Sequence, residues 1–171
     1  DKKTPYPKLF GGLAQNLRYK GFDMLVDLQY SLGSYVYNNT LQNLMVYTTN
    51  RNKSEYILNA WEKNGDATDV PRLFWGDNQS AQVSTRFLEK GDFLRIRNMQ
   101  LGYSLPNTLI EKIKVSRIRV YVQVQNLWTF TGYKGIDPEA NANGNVNIGL
   151  GIDNFRPYLP RTFTGGVNIQ F

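Results

Sequence analysis

Long runs in which apolar and polar residues alternate one for one constrain this chain most. A period of two is the mark of a β-strand whose two faces meet different surroundings. Toward the C-terminus, Phe163, Gly165, Val167, Ile169 and Phe171 alternate with Thr162, Thr164, Gly166, Asn168 and Gln170. From Arg117 to Phe130, Ile118, Val120, Val122, Val124, Trp128 and Phe130 share one side, opposite Arg117, Arg119, Tyr121, Gln123 and Gln125, and Asn126 is a polar intrusion on the apolar side. Phe22, Met24, Val26, Leu28, Tyr30 and Leu32 form a third row against Asp23, Asp27, Gln29 and Ser31, with Leu25 as the exception. Leu9, Leu13, Leu17 and Tyr19 share a parity broken by Gly11 and Gln15. Between Phe93 and Leu105 the phase changes, Leu94 and Ile96 being even and Met99, Leu101 and Tyr103 odd, so a bulge near Arg97-Asn98 is expected to restore one apolar face. These patterns predict antiparallel strands over 8–20, 21–32, 91–105, 116–131 and 160–171.

The connections alternate in length. Tyr19-Lys20-Gly21 reads as a tight turn, 33–90 as a very long loop, Pro106 to Ser116 as a short link, and 132–159 as a second long loop rich in Gly, Asn and Asp. Ser54 to Lys63, with Tyr56, Ile57, Ala60 and Trp61, is expected to form a short amphipathic helix, and Ile110 to Ile113 one helical turn. Up-and-down strands would put both long loops on one side and both short turns on the other.

A soluble β-sandwich alternates too, so strand length has to discriminate. The expected strands run about 11 to 15 residues against a mode of about 5 to 6 in globular sheets. At roughly 3.3 Å per residue and a tilt near 40° they could cross a hydrocarbon layer. No stretch approaches the roughly 18 apolar residues of a membrane helix, which says nothing against strands. Aromatics gather near strand ends, Tyr19, Tyr103 and Phe171 toward the short turns and Tyr30, Trp128, Phe130 and Phe163 toward the long loops, as in the two girdles of a membrane barrel. The fold class expected is therefore all-β: a segment of a transmembrane antiparallel up-and-down β-barrel with two long extracellular loops. Phe22, Met24, Val26, Leu28, Ile118, Val120, Val122, Val124, Val167 and Ile169 would face lipid. Arg95, Arg97, Arg117, Arg119, Gln123 and Gln125 would face the lumen, where polar residues are normal.

Composition removes several chemistries. The 171 residues include no His and no Cys, which excludes a Ser-His-Asp triad, a thiol nucleophile and a Cys/His zinc site. The net charge of +6 is spread along the chain with no compact basic run, so nucleic acid is not an expected partner. Asp137, Glu139 and Asp153 lie among Asn141, Asn143, Asn145 and Asn147 without the ligand spacing of a calcium loop, and a Gly/Asn loop is a poor mount for paired catalytic carboxyls. Neither a cofactor nor a covalent reaction is expected.

Three segments resemble one family. Gly91-Asp92-Phe93-Leu94-Arg95-Ile96-Arg97-Asn98-Met99-Gln100-Leu101-Gly102-Tyr103-Ser104-Leu105-Pro106 is similar to a strand and turn of the SusC/RagA TonB-dependent outer-membrane transporters of Bacteroidetes. Ile118 to Tyr133, with Gly135-Ile136-Asp137-Pro138-Glu139, resembles that family's penultimate strand and last loop, and Tyr158 to Phe171 its final strand. The resemblance implies the last five strands of a 22-stranded barrel in the outer membrane. It further implies an enclosed plug, energy supplied through TonB, and a SusD-like surface lipoprotein that captures oligosaccharides or oligopeptides. The plug and N-terminal regions would lie outside this chain, whose first and last strands would pair with strands it lacks. Phe171 would then be the terminal aromatic read during assembly. Tyr56, Trp61, Phe74 and Trp75 would either contact partner or cargo or form the loop's own core. A soluble or cell-surface β-sandwich that binds glycans is the alternative reading, and a carboxylate hydrolase a third.

Overall fold

The computed structural model describes residues 3–47, 50–74, 76–77, 79, 82–111, 115–144 and 148–171. Trp75, Asn145, Asn147 and the Lys112-Ile113 part of the expected helical turn lie outside them. The strands are β1 (Leu9–Tyr19), β2 (Phe22–Leu32), β3 (Tyr35–Asn38), β4 (Leu88–Lys90), β5 (Phe93–Ser104), β6 (Arg117–Thr131), β7 (Ile152–Asp153) and β8 (Thr162–Gln170), with short helices α1 (Asn39–Leu44) and α2 (Asn107–Ile110). The chain divides into two compact units, one of residues 8–32, 92–131 and 159–171, the other of 1–7, 33–91 and 132–158.

The first unit carries one five-stranded sheet in the order β1-β2-β5-β6-β8, every neighbouring pair antiparallel. Tyr19 pairs with Phe22, leaving Lys20 and Gly21 as a two-residue turn. Both have positive φ, +46° and +88°, the geometry that matches the right-handed twist of the flanking strands. At the phase change in the sequence the register also shifts. Asn98 pairs with Asp27 and Ile96 with Leu28, so Arg97 is an inserted residue; on the other flank it faces two residues of β6, Asn126 and Leu127. Asn126 takes φ +52°, a conformation asparagine tolerates better than most residues, and its Nδ2 donates to the Pro160 carbonyl at 3.1 Å. The polar intrusion in the sequence is thus a bulge residue. After β5, Pro106 caps α2 with extended backbone, and Leu109 N–H donates to its carbonyl.

The second unit gathers both long connections. β3 pairs antiparallel with β4 and parallel with β7. Met45, Val70 and Phe87 are buried together with Tyr37, Leu41, Tyr56, Ile57 and Ala60 against them, and Val36, Tyr133 and Ala140 form a second cluster. The helix expected over 54–63 is a 3₁₀ helix over Glu55–Asn59, opened by Ser54, whose hydroxyl accepts from Tyr56 N–H. It stops there because the next groups bond elsewhere: Thr68 Oγ1 donates to the Asn59 carbonyl at 2.6 Å and Trp61 N–H to the Val70 carbonyl at 2.9 Å. α1 has no hydrophobic periodicity to announce it. Asn38 starts it by accepting from Leu41 N–H at 2.8 Å.

Candidate functional site

Cross-strand register sorts the sheet of the first unit into two unlike faces. Tyr19, Phe22, Tyr103, Val120 and Val167 stand side by side across all five strands. The next rows are Leu17, Met24, Leu101, Val122 and Gly165, then Gln15, Val26, Met99, Val124 and Phe163. Beyond the bulge come Leu13, Leu28, Ile96 and Trp128, then Gly11, Tyr30, Leu94 and Phe130. Gln15 is the one polar side chain in these rows. Among the described residues no second sheet belongs to this unit, and the apolar face is open: Val122 is 57% exposed, Phe163 70% and Ile169 53%. Phe22 and Tyr103 stack tilted with ring centroids 4.5 Å apart, and Trp128 and Phe130 lie at 6.4 Å. Phe163 aligns with Val124 and Met99, some way along the strands from Phe130. Phe171 follows the last strand and is almost wholly exposed.

The opposite face is a hydrogen-bonded polar surface. Arg119 on β6 reaches across β5 to Asp23 on β2, Nε to Oδ1 at 2.8 Å and Nη2 to Oδ2 at 2.5 Å, a two-pronged ion pair. Gly102 makes this possible: a Cβ there would meet the guanidinium, so the strand between the partners has no side chain in the way. Gln123 Nε2 donates to Asn98 Oδ1 at 2.9 Å, and Asn98 Nδ2 to Asp27 Oδ2 at 3.3 Å, linking the same three strands. Arg95 is buried, donates to Thr129 Oγ1 at 3.0 Å and lies over the Phe93 ring. Arg117 donates to Ser104 Oγ at 3.1 Å, while Arg97 is exposed at the bulge.

The alternation marks Arg119 as a polar-face residue but carries no sign of its partner Asp23, 96 positions away, nor of the roles of Gly102 and Gly166, the latter leaving room for the Tyr121 ring. Glycines at polar-face positions were the available signal.

In the second unit, Tyr56 packs on the buried Met45-Val70-Phe87 cluster with the Lys134 amine 4.9 Å from its ring centre, Trp61 is half-buried, and Phe74 is 58% exposed. The loop carboxylates are occupied. Asp137 Oδ1 accepts from Glu139 N–H at 2.9 Å. Asp153, buried, accepts from Tyr133 Oη at 2.7 Å and Thr40 Oγ1 at 3.1 Å. Burial, with the Asp153 carboxylate beside it, pushes the Tyr133 phenol far above its ordinary range. Among the described residues no three acidic side chains are placed to hold a metal ion, and no helix is long and apolar enough to cross a membrane.

The chain is 37% identical over 173 aligned residues to TonB-dependent receptor P3 of Formosa agariphila, a match spanning 98% of this chain and 17% of that protein. It is 34% identical to TonB-dependent receptor SusC of Bacteroides thetaiotaomicron, over 99% of this chain and 16% of that one. All of it superposes on 18% of a chain in the RagAB peptide importer in the closed-closed state, with a TM-score of 0.81 and 32% identity; against the open-open state the values are 0.77 and 31%. No protein-family model matches it. The chain therefore spans less than a fifth of the relatives' own length. In sequence and in fold alike, this all-β chain is homologous, along its whole length, to part of the TonB-dependent receptors of the SusC/RagA kind.

Proposed function

We propose that the chain supplies wall and surface loops to an outer-membrane, TonB-dependent importer of oligosaccharides or oligopeptides that works with a SusD-like surface lipoprotein. The observation that carries the reading is the sheet with one continuous, open apolar face and one hydrogen-bonded polar face. In water an uncovered face of this size would be an aggregation surface; against acyl chains it is at its most stable. The names of the relatives, TonB-dependent receptors and a peptide importer, agree with transport and with no covalent chemistry.

On this reading Phe22, Met24, Val26, Leu28, Ile118, Val120, Val122, Val124, Val167 and Ile169 meet lipid. Tyr19, Tyr30, Tyr103, Trp128 and Phe130 sit toward the interfaces, Phe163, expected among them, lies deeper in the apolar band beside Val124 and Met99, and Phe171 is the assembly signal. The strands are the last five of a 22-stranded barrel, the count following from the family resemblance. The segments 33–90 and 132–159 face outward, where exposed Phe74 is available to cargo or lipoprotein. The sandwich alternative would need a second layer over the apolar face, and the described residues of the unit that holds the sheet contain none.

The test is paired substitution in the protein as it is produced in the cell. Val122→Arg places a charge near the lipid midplane, at a cost of about 2 to 4 kcal/mol, and should abolish the heat-modifiable band of an assembled barrel. Gln123→Arg, one residue along and on the polar face, should leave that band in place. Normal assembly of Val122→Arg, or extraction of the native protein by aqueous buffer alone, would overturn the reading.

A further inference from the structure

On the apolar face of the strand unit one row is cut short. Leu17, Met24, Leu101 and Val122 each fill their place in it, and Gly165 of β8 does not. A Cβ at 165 would meet nothing nearer than the Tyr121 carbonyl oxygen at 4.0 Å, so no neighbour requires a glycine there. Phe163 and Val167 stand on either side of it on the same face, both exposed. The result is an open apolar groove of about 510 Å³, bounded by Phe22, Leu101, Tyr103, Val120, Val122 and Val167.

The groove reaches the β1–β2 turn. A Cβ on Gly21 would lie 3.2 Å from the Tyr103 ring, and Phe22, stacked on Tyr103, also lines a second hollow of about 550 Å³ beside that turn. Tyr19 joins Phe22 there, with Arg18, Lys20, Arg117 and Arg119. Arg119 holds both oxygens of Asp23, the single carboxylate among the described residues of that lining, which leaves Arg18, Lys20 and Arg117 as surplus positive charge. All three are exposed, and the Lys20 amine lies 5.3 Å from the centre of the Tyr19 ring, at the border of the apolar face.

We propose that the groove and the turn beside it dock one anionic glycerophospholipid, its acyl chain in the groove and its phosphate among the three cations. An amphiphile matches a lining that is apolar along the strands and cationic at the turn. Inside the groove the side chains are aliphatic or aromatic, with the Tyr103 and Tyr121 hydroxyls as their polar atoms. A peptide backbone laid there would leave N–H and C=O groups unpaired, whereas an acyl chain brings none. An inorganic anion has nothing to place in the groove. Long Lys and Arg side chains at a strand end carry their charges to the headgroup level, where anionic lipid is favoured. The inference rests on the reading that the apolar face meets lipid, and it adds to that reading a headgroup and a place.

Photo-crosslinking of the whole protein in its native membrane tests it. With p-benzoylphenylalanine in place of Tyr103, the expected adduct is a phospholipid. Mass spectrometry of the adducts should show anionic headgroups enriched about tenfold over their share of the extracted membrane lipid. Lys20→Asn together with Arg117→Gln should abolish that enrichment, while Lys20→Arg with Arg117→Lys should retain it. Gly165→Leu, which the open space around its Cβ admits, should cut the adduct yield severalfold whichever headgroup is read. A polypeptide adduct, no adduct, headgroups in the proportions of the bulk membrane, or an unchanged yield in Gly165→Leu would overturn the proposal. The heat-modifiable band of the unsubstituted protein separates this from failure of the wall reading. A protein that shows the band and captures lipid without headgroup preference keeps the wall and loses the docking site; a protein without the band loses both.

Discussion

Gly102 lets Arg119 lie flat across the strand that separates it from Asp23, and so one absent side chain decides whether two charges meet. A Cβ at 102 would sit against the guanidinium, so Gly102→Val should displace it and leave Asp23 without its two-pronged partner. Asp23→Ala removes the same interaction from the other end. The double variant should therefore be less damaged than the sum of the two, with a coupling of about 0.5 to 3 kcal/mol read from denaturant midpoints. Additive effects would mean that the pair contributes nothing measurable. Arg119→Lys should not restore the pair, because an ammonium cannot present the parallel donors of a guanidinium. The alternation put Arg119 and Asp23 on polar faces of their strands, but it could not make them neighbours. Partnership between positions 96 apart is set by strand order and register, neither of which the local pattern records.

Among elements, β6 shows how far periodicity reads and where it stops. Its apolar members were legible one by one, because a period of two puts every second residue on the same side. Asn126 looked like a defect in the row and proves to be the left-handed residue of a bulge that absorbs the register shift opposite Arg97. Asn126→Val forces a branched side chain into that conformation and should cost about 1 to 2 kcal/mol, whereas Asn126→Gly should be tolerated. The temperature at which the assembled barrel loses its compact gel mobility will rank the two. At the β1–β2 turn, Lys20 and Gly21 both have positive φ, so Gly21→Val should slow or misregister this hairpin, while Lys20→Asn should fold at least as well. Refolding yield into detergent micelles measures both. The helix expected over 54–63 shortened to a 3₁₀ turn because Thr68 and Val70 claim the backbone groups a second turn would use. No sequence window around Ser54 contains that competition.

Across the whole molecule the two units differ in what holds them together. The strand unit is held by a backbone ladder and a polar network, with its apolar face open. The loop unit has small buried clusters and is tied by Asp153, which joins Tyr133 of one long connection to Thr40 of the other. Asp153→Ala leaves the Tyr133 hydroxyl buried without its acceptor, at a cost of about 1 to 3 kcal/mol, and should speed proteolysis within 33–91 and 132–158 while the strand core survives. The raised phenol of Tyr133 gives this unit a pH dependence. Above about pH 10 the unfolded chain releases the phenolic proton and the folded unit keeps it, so its stability is full at lower pH and falls as pH rises further. Tyr133→Phe should reduce that alkaline slope in protease susceptibility measured across pH 9 to 11 (roughly the span of an ordinary tyrosine titration), leaving the part due to Tyr37, whose phenol is also raised by burial. By itself the sequence determined that this chain makes long two-faced strands joined by alternately short and long links, because alternation and turn chemistry are local properties of neighbouring residues. Only the tertiary structure decided that the long connections share one packed body, that Arg119 meets Asp23, and that scattered cations converge on one hollow. Those depend on distances between residues far apart in the chain, and chain folding alone sets such distances.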